Sequence, residues 1–106
     1  MINPKDAELT EHHQKLAIAL MNSLVRAVAV GDEPANAQDV HKVLALMAGM
    51  VLETDSTLTA PSQFREAGAY VGQLVAIMAK LVRDEHERTG FSMMDLAATA
   101  DESALN

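Results

Sequence analysis

Histidines and a run of acidic residues are the side chains of this 106-residue sequence best suited to chemistry. Asp84, Glu85, His86 and Glu87 are consecutive, and His41 lies in an earlier predicted helix. If the third helix runs back beside the second, His41, Asp84 and His86 meet at one end of a bundle. Imidazole and carboxylate groups there could bind a metal ion or exchange protons. The simpler interpretation, which we favour, is a solvated helix terminus.

A second candidate pair lies near the N-terminus. Glu8 and His12 have the i, i+4 spacing of two metal ligands on one helix face, which is equally the spacing of a solvated ion pair. His13 is adjacent to His12 and points about 100° away on a helix. The di-iron bundle motif needs Glu three residues before a histidine, but Leu9 and Thr10 occupy those positions. We therefore predict no metal site, with His41, Asp84 and His86 as the residues to test.

Residues for nucleophilic or cofactor chemistry are not apparent. The sequence has no cysteine and no G-x-S-x-G elbow. Its Gly68-x-x-x-Gly72 pair lies inside a predicted helix, whereas phosphate and dinucleotide fingerprints follow a strand. We predict no catalytic residue and no cofactor, and we expect that the protein is not an enzyme.

The composition is that of one acidic globular domain. It is 49% hydrophobic and 22% charged, with a net charge of −7 and scattered lysines and arginines. Direct nucleic-acid binding is therefore disfavoured, whereas a partner with a basic surface is favoured. The absence of cysteine and of an apolar segment near the start leads us to expect a cytoplasmic protein.

Apolar periodicity and cap residues predict an all-α fold, a helical bundle completed by homodimerisation. Three main helices are predicted at about 4–30, 37–53 and 62–89, with a short helix after them. The predicted boundary residues are Asn3 and Pro4 for the first helix, Asn36 for the second, Pro61 and Gly90 for the third and Ser92 for the short one. On helical wheels Asn22 lies on the polar side of the first helix. The core face of the second helix comprises Val40, Val43, Leu44, Met47, Met50 and Val51, with Leu46 at its edge. We assign residues 1–90 to the bundle and 91–106 to a short C-terminal helix or partly disordered tail.

The stretch from Ala67 to Val82 is the most apolar part of the sequence, with Lys80 as its one charge. It is shorter than the roughly 20 residues of a membrane span, so we predict no membrane helix. Its apolar arc is wider than one packing partner requires. Its small residues favour a close crossing, either within one chain or between two chains.

These apolar faces lead us to predict a protein–protein interaction, regulatory or assembly module that forms a homodimer. The alternative is a helical metal-binding protein or enzyme that uses the His and carboxylate groups named above. A carrier of an apolar ligand is a third possibility. The predicted chain–chain contact comprises Leu20, Leu24, Gly68, Gly72, Ala76 and Leu81.

Overall fold

A computed structural model describes residues 7–29 and 31–99, and this part of the chain is all-helical with no β-strand. Four helices follow one another along it. They are α1 (Glu11–Val28), α2 (Ala37–Glu53), α3 (Pro61–Thr89) and α4 (Met93–Thr99).

The start of α1 differs from the prediction of a helix over 4–30. Thr10 has extended backbone angles, and its hydroxyl accepts a hydrogen bond from the His13 amide at 3.2 Å. This side-chain cap satisfies an amide that has no partner within the helix, so the helix begins at Glu11. The cap predicted at Asn3 and Pro4 lies outside the described residues. Glu8 precedes the helix, and the assumed helical spacing between Glu8 and His12 is therefore wrong.

The bounds of α2 and α3 follow the predicted stop and start signals. Asn36 caps α2 through a 2.7 Å hydrogen bond from the Gln38 amide to its side chain. Pro61 opens α3, where the Gln63 side chain accepts the Ala60 amide at 2.9 Å. Gly90 ends α3 with φ of +78°, a left-handed conformation that glycine adopts without the steric cost of a Cβ.

The short helix α4 is tied to α1. Ser92 accepts the Asp95 amide at 3.2 Å, as expected for the predicted cap, and the helix is described to Thr99. Ala97 is buried against α1, and the Asn22 side-chain amide donates a 2.6 Å hydrogen bond to the Ala97 carbonyl. This carbonyl is one of the last four of α4, which have no partner within the helix.

Asn22 thereby corrects an expectation from the helical wheel. Periodicity places it on the polar side of the first helix, yet its side chain is fully buried. The wheel assumed that only apolar residues face a partner. Here the partner is a helix terminus, and a carbonyl there needs a donor rather than an apolar contact.

The remaining helices are loosely packed. The α1–α4 contact is the most extensive between any two helices, whereas α2 touches α1 and α3 over short stretches only. The radius of gyration is 15.4 Å, against about 13 Å for a compact chain of this length. Val40 and Ala97 are the buried hydrophobic residues of the described part of the chain. The chain therefore has almost no closed core of its own.

Candidate self-association surface

Three open apolar clefts separate the long helices. The cleft between α1 and α3 has a volume of about 450 Å³ and is lined by Leu74 and Met78 from α3. A cleft of about 440 Å³ lies between α1 and α2, with Leu20 and Met47 in its walls. A third, of about 420 Å³, separates α2 from α3. Apolar side chains that would meet in a closed bundle therefore face these gaps.

The side of α2 that faces α1 becomes progressively more exposed along the helix. The exposed fraction rises from 8% at Val40 to 38% at Leu44, 46% at Met47 and 70% at Val51. These four residues are separated by four, three and four positions, which is the spacing of a coiled-coil seam. Only Val40, in the first turn, is buried within the chain. The later residues of the seam are exposed because α1 and α2 diverge.

The outer side of α2 faces neither neighbour. At 100° per residue, a stripe lies opposite the clefts to α1 and α3. Leu46 and Met50 lie at its middle and are 64% and 61% exposed. Lys42 precedes these two residues along the stripe, and Glu53 follows them. We call this surface the α2 outer stripe; it consists of Asp39, Lys42, Val43, Leu46, Met50 and Glu53.

The apolar surface of α2 extends around more of the helix than predicted. A signal was present, because the ten residues from Val43 to Leu52 contain no charged or polar side chain. Ten residues make almost three turns, so this segment is apolar on every side. A helix that is apolar all round is normally buried on every side. The prediction placed Met50 on the core face of this helix with Leu46 at the edge of that face, whereas both side chains are exposed on the side away from the two clefts.

The glycines of α3 have open space beside them. A Cβ atom built at Gly68 or Gly72 would meet no atom within 4 Å outside its own helix segment. A close helix crossing within the chain is therefore not formed at these positions. The described residues contain a tightly packed helix contact at Ala97 instead, where α4 lies on α1.

The six predicted contact residues do not share one surface. Leu20 and Leu24 line the α1–α2 cleft, whereas Gly68 and Gly72 line the α2–α3 cleft on the other side of α2. Ala76 is exposed on α3, four residues after Gly72. Leu81, by contrast, is half-buried and lies about 140° away from Ala76 around α3. A single second helix could not contact all six.

The histidines and acidic residues that suggested chemistry lie apart. His41 lines the α2–α3 cleft, in which the last α3 residue is Val75. Asp84 follows Val75 by nine residues, about 13 Å along the helix. In residues 7–29 and 31–99, no three His, Asp or Glu side chains are placed so that they could hold a metal ion. The metal-binding alternative stays a prediction from sequence.

The acidic cluster at the end of α3 is occupied by local ion pairs. Lys80 contacts Asp84 at 2.5 Å one turn later, and the hydrogen bond from its ammonium raises the pKa of Lys80. Arg88 pairs with Glu85, and its hydrogen bond lowers the pKa of that carboxyl. Lys80, Asp84 and Arg88 are exposed and Glu85 is half-buried, so the pairs add little to the free energy of folding. They are typical of a solvated helix face.

Among the described residues, no helix is long and apolar enough to cross a membrane. The chain matches no protein-family model, no curated protein and no solved structure.

Proposed function

We propose that this chain is a non-enzymatic interaction module of the cytoplasm, a regulatory or assembly factor whose apolar helix faces are completed by a second copy. One observation carries this proposal: large apolar side chains of the described helices are exposed rather than buried. In residues 7–29 and 31–99, twelve large hydrophobic residues of the helices are exposed, as is Phe91 between α3 and α4, whereas Val40 and Ala97 are the buried hydrophobic residues. Burial of apolar surface is the main favourable term in folding, so an arrangement this open needs a further surface to cover it.

The accessible area supports a second copy as that cover. The chain exposes 8228 Å², whereas a folded monomer of 11.4 kDa exposes about 5,800 Å². The difference is about 2,400 Å² and includes the area of the residues outside 7–29 and 31–99. A standard interface buries about 800 Å² on each partner, which is a third of this difference. Twofold homodimers are the commonest oligomers, because one surface then serves both partners.

The contact surface has two sets of candidates. The six residues predicted from sequence remain candidates, and the α2 outer stripe is added to them. The acidic net charge of −7 supports a basic surface on any further protein partner. Binding of such a partner is expected to weaken as salt rises.

The test is the mass in solution, measured by size exclusion with light scattering over a dilution series. We expect a mass of twice 11.4 kDa, or a higher multiple, that persists on dilution to low micromolar concentration. A monomer at every concentration, with the helical content retained, would overturn the proposal. In that case the chain is stable with its apolar surface open, and no second copy is required.

A further inference from the structure

We propose that the two copies meet through their α2 outer stripes, with the two α2 helices antiparallel about a twofold axis. This inference rests on the proposed function and names the contact that it requires. The occupant of the stripe is therefore a second copy of this chain. Leu46 of each copy packs on Met50 of the partner subunit, because a twofold contact is reciprocal.

The position of the stripe is the first argument. The clefts to α1 and α3 lie on one half of α2. The stripe lies on the other half, where five of its six residues are exposed and Val43, at its edge, is half-buried. Leu46 and Met50 are more than 60% exposed, although they lie within the uncharged segment from Val43 to Leu52. This segment is about 15 Å long, which is enough for a helix-to-helix contact of nearly three turns.

Charge complementarity decides the direction of the two helices. Lys42 precedes the uncharged segment and Glu53 follows it, so the helix has a positive flank and a negative flank. If the helices are antiparallel and Leu46 packs on Met50 of the partner subunit, Lys42 lies almost opposite Glu53 of the partner subunit. The twofold axis makes this pair occur twice in the dimer. Parallel packing would place like charges together. Within the described residues, neither side chain takes part in an ion pair, so both are available to a second chain.

The other charged residue of the stripe is compatible with this arrangement. Asp39 lies in the first turn of α2, one turn before Lys42. In the antiparallel pair it extends past the last turn of the partner's α2, towards the partner's α2–α3 loop. Asp39 is exposed in the single chain and lies outside the uncharged segment that forms the contact, so the contact does not require its charge to be buried.

The test uses a reciprocal charge exchange. We expect Lys42→Glu and Glu53→Lys each to raise the dissociation constant of the dimer about fivefold at low salt. Each substitution creates two contacts between like charges in the dimer. The double variant K42E/E53K restores opposite charges and should recover the wild-type dissociation constant. The effect of the single variants should vanish in 1 M salt. Lys15→Glu is the matched control, since it makes the same change of net charge on α1.

Apolar variants separate this inference from the proposed function. We expect Leu46→Asp to weaken the dimer about 30-fold or more, because a charge is then placed at the centre of the contact. Val75→Asp is the matched control in the α2–α3 cleft, with a similar exposure of 61%. It should leave the dimer intact. Leu20→Asp and Gly72→Leu test the contact residues predicted from the sequence, one in each cleft beside α2. Circular dichroism should show unchanged helical content in all four variants.

Each outcome gives a decision. A dimer that is weakened by Leu46→Asp and recovered in K42E/E53K supports the antiparallel contact. A dimer that resists Leu46→Asp but dissociates with Leu20→Asp or Gly72→Leu overturns this inference and keeps the proposed function. A double variant no stronger than the single ones also overturns the antiparallel arrangement. A monomeric wild-type chain overturns both proposals.

Discussion

The buried hydrogen bond between α1 and α4 offers the sharpest test of the packing within one chain. Asn22 is fully buried, and its side-chain amide donates to the Ala97 carbonyl at 2.6 Å. Replacement by Ala removes this donor and leaves the carbonyl in a site that is closed to water. A buried acceptor without a donor costs about 1–3 kcal/mol of unfolding free energy. We expect Asn22→Ala to lower the stability by that amount.

Asn22→Asp isolates the role of the donor. Aspartate has nearly the same shape, but an ionised carboxylate can only accept hydrogen bonds. It would place a negative charge beside a carbonyl oxygen in a buried site, so we expect a larger loss of stability than in Asn22→Ala. The loss should shrink as the pH falls and the carboxylate becomes protonated, because a protonated acid can donate again.

The assay is urea unfolding followed by circular dichroism, at one protein concentration for all variants because dimerisation makes stability depend on concentration. Ser23→Ala is the control, an exposed neighbour whose hydroxyl contacts Ala19 at 3.4 Å. It should change the unfolding free energy by less than about 0.5 kcal/mol. Faster hydrogen exchange in α4 of Asn22→Ala would localise the effect. If both Asn22 variants match Ser23→Ala, the buried bond between α1 and α4 is refuted.

Three further results are expected. Thr10→Ala should cost about 1 kcal/mol, because it removes the side-chain cap of α1, and faster exchange of the His13 amide would identify the frayed turn. Gly90→Ala should destabilise the chain by about 1 kcal/mol, because Gly90 has a φ of +78° that alanine adopts only with strain. Gly49→Ala should stabilise the chain, because Gly49 lies inside α2 with open space beside it. Thermal unfolding of both variants checks that the two changes have opposite signs. Arg88→Ala should return the pKa of Glu85 towards its ordinary value, as followed by NMR titration. Because the pKa of Glu85 is lower in the folded chain than in the unfolded chain, the pair stabilises the fold above the unfolded pKa. This stabilisation is lost as the pH falls through the folded pKa. An unchanged pKa of Glu85 in Arg88→Ala would contradict the pairing.

Local signals in the sequence were sufficient for most helix boundaries. Asn36 caps α2, Pro61 opens α3 and Gly90 ends it, as predicted. Each of these signals acts through its own backbone or through a neighbour within one turn, so sequence alone contains the necessary information. The predicted start of the first helix was wrong because Thr10 caps α1 at a later position. The Thr10 hydroxyl accepts a hydrogen bond from the His13 amide within the same turn. Apolar periodicity continues before Thr10 in the sequence, and it contains no information about this hydrogen bond.

The tertiary structure alone decided which faces are covered. Helical wheels place Asn22 on a polar face and treat α2 as a one-sided helix, but the folded chain buries Asn22 under α4 and leaves Leu46 and Met50 exposed. Periodicity ranks the faces of a helix by polarity, but it does not specify which neighbouring element reaches each face. That depends on contacts between residues far apart in the chain, here 75 positions between Asn22 and Ala97. The sequence by itself determined an all-helical chain with more apolar surface than its helices can bury, and the tertiary structure decided that α2 holds much of that surface open.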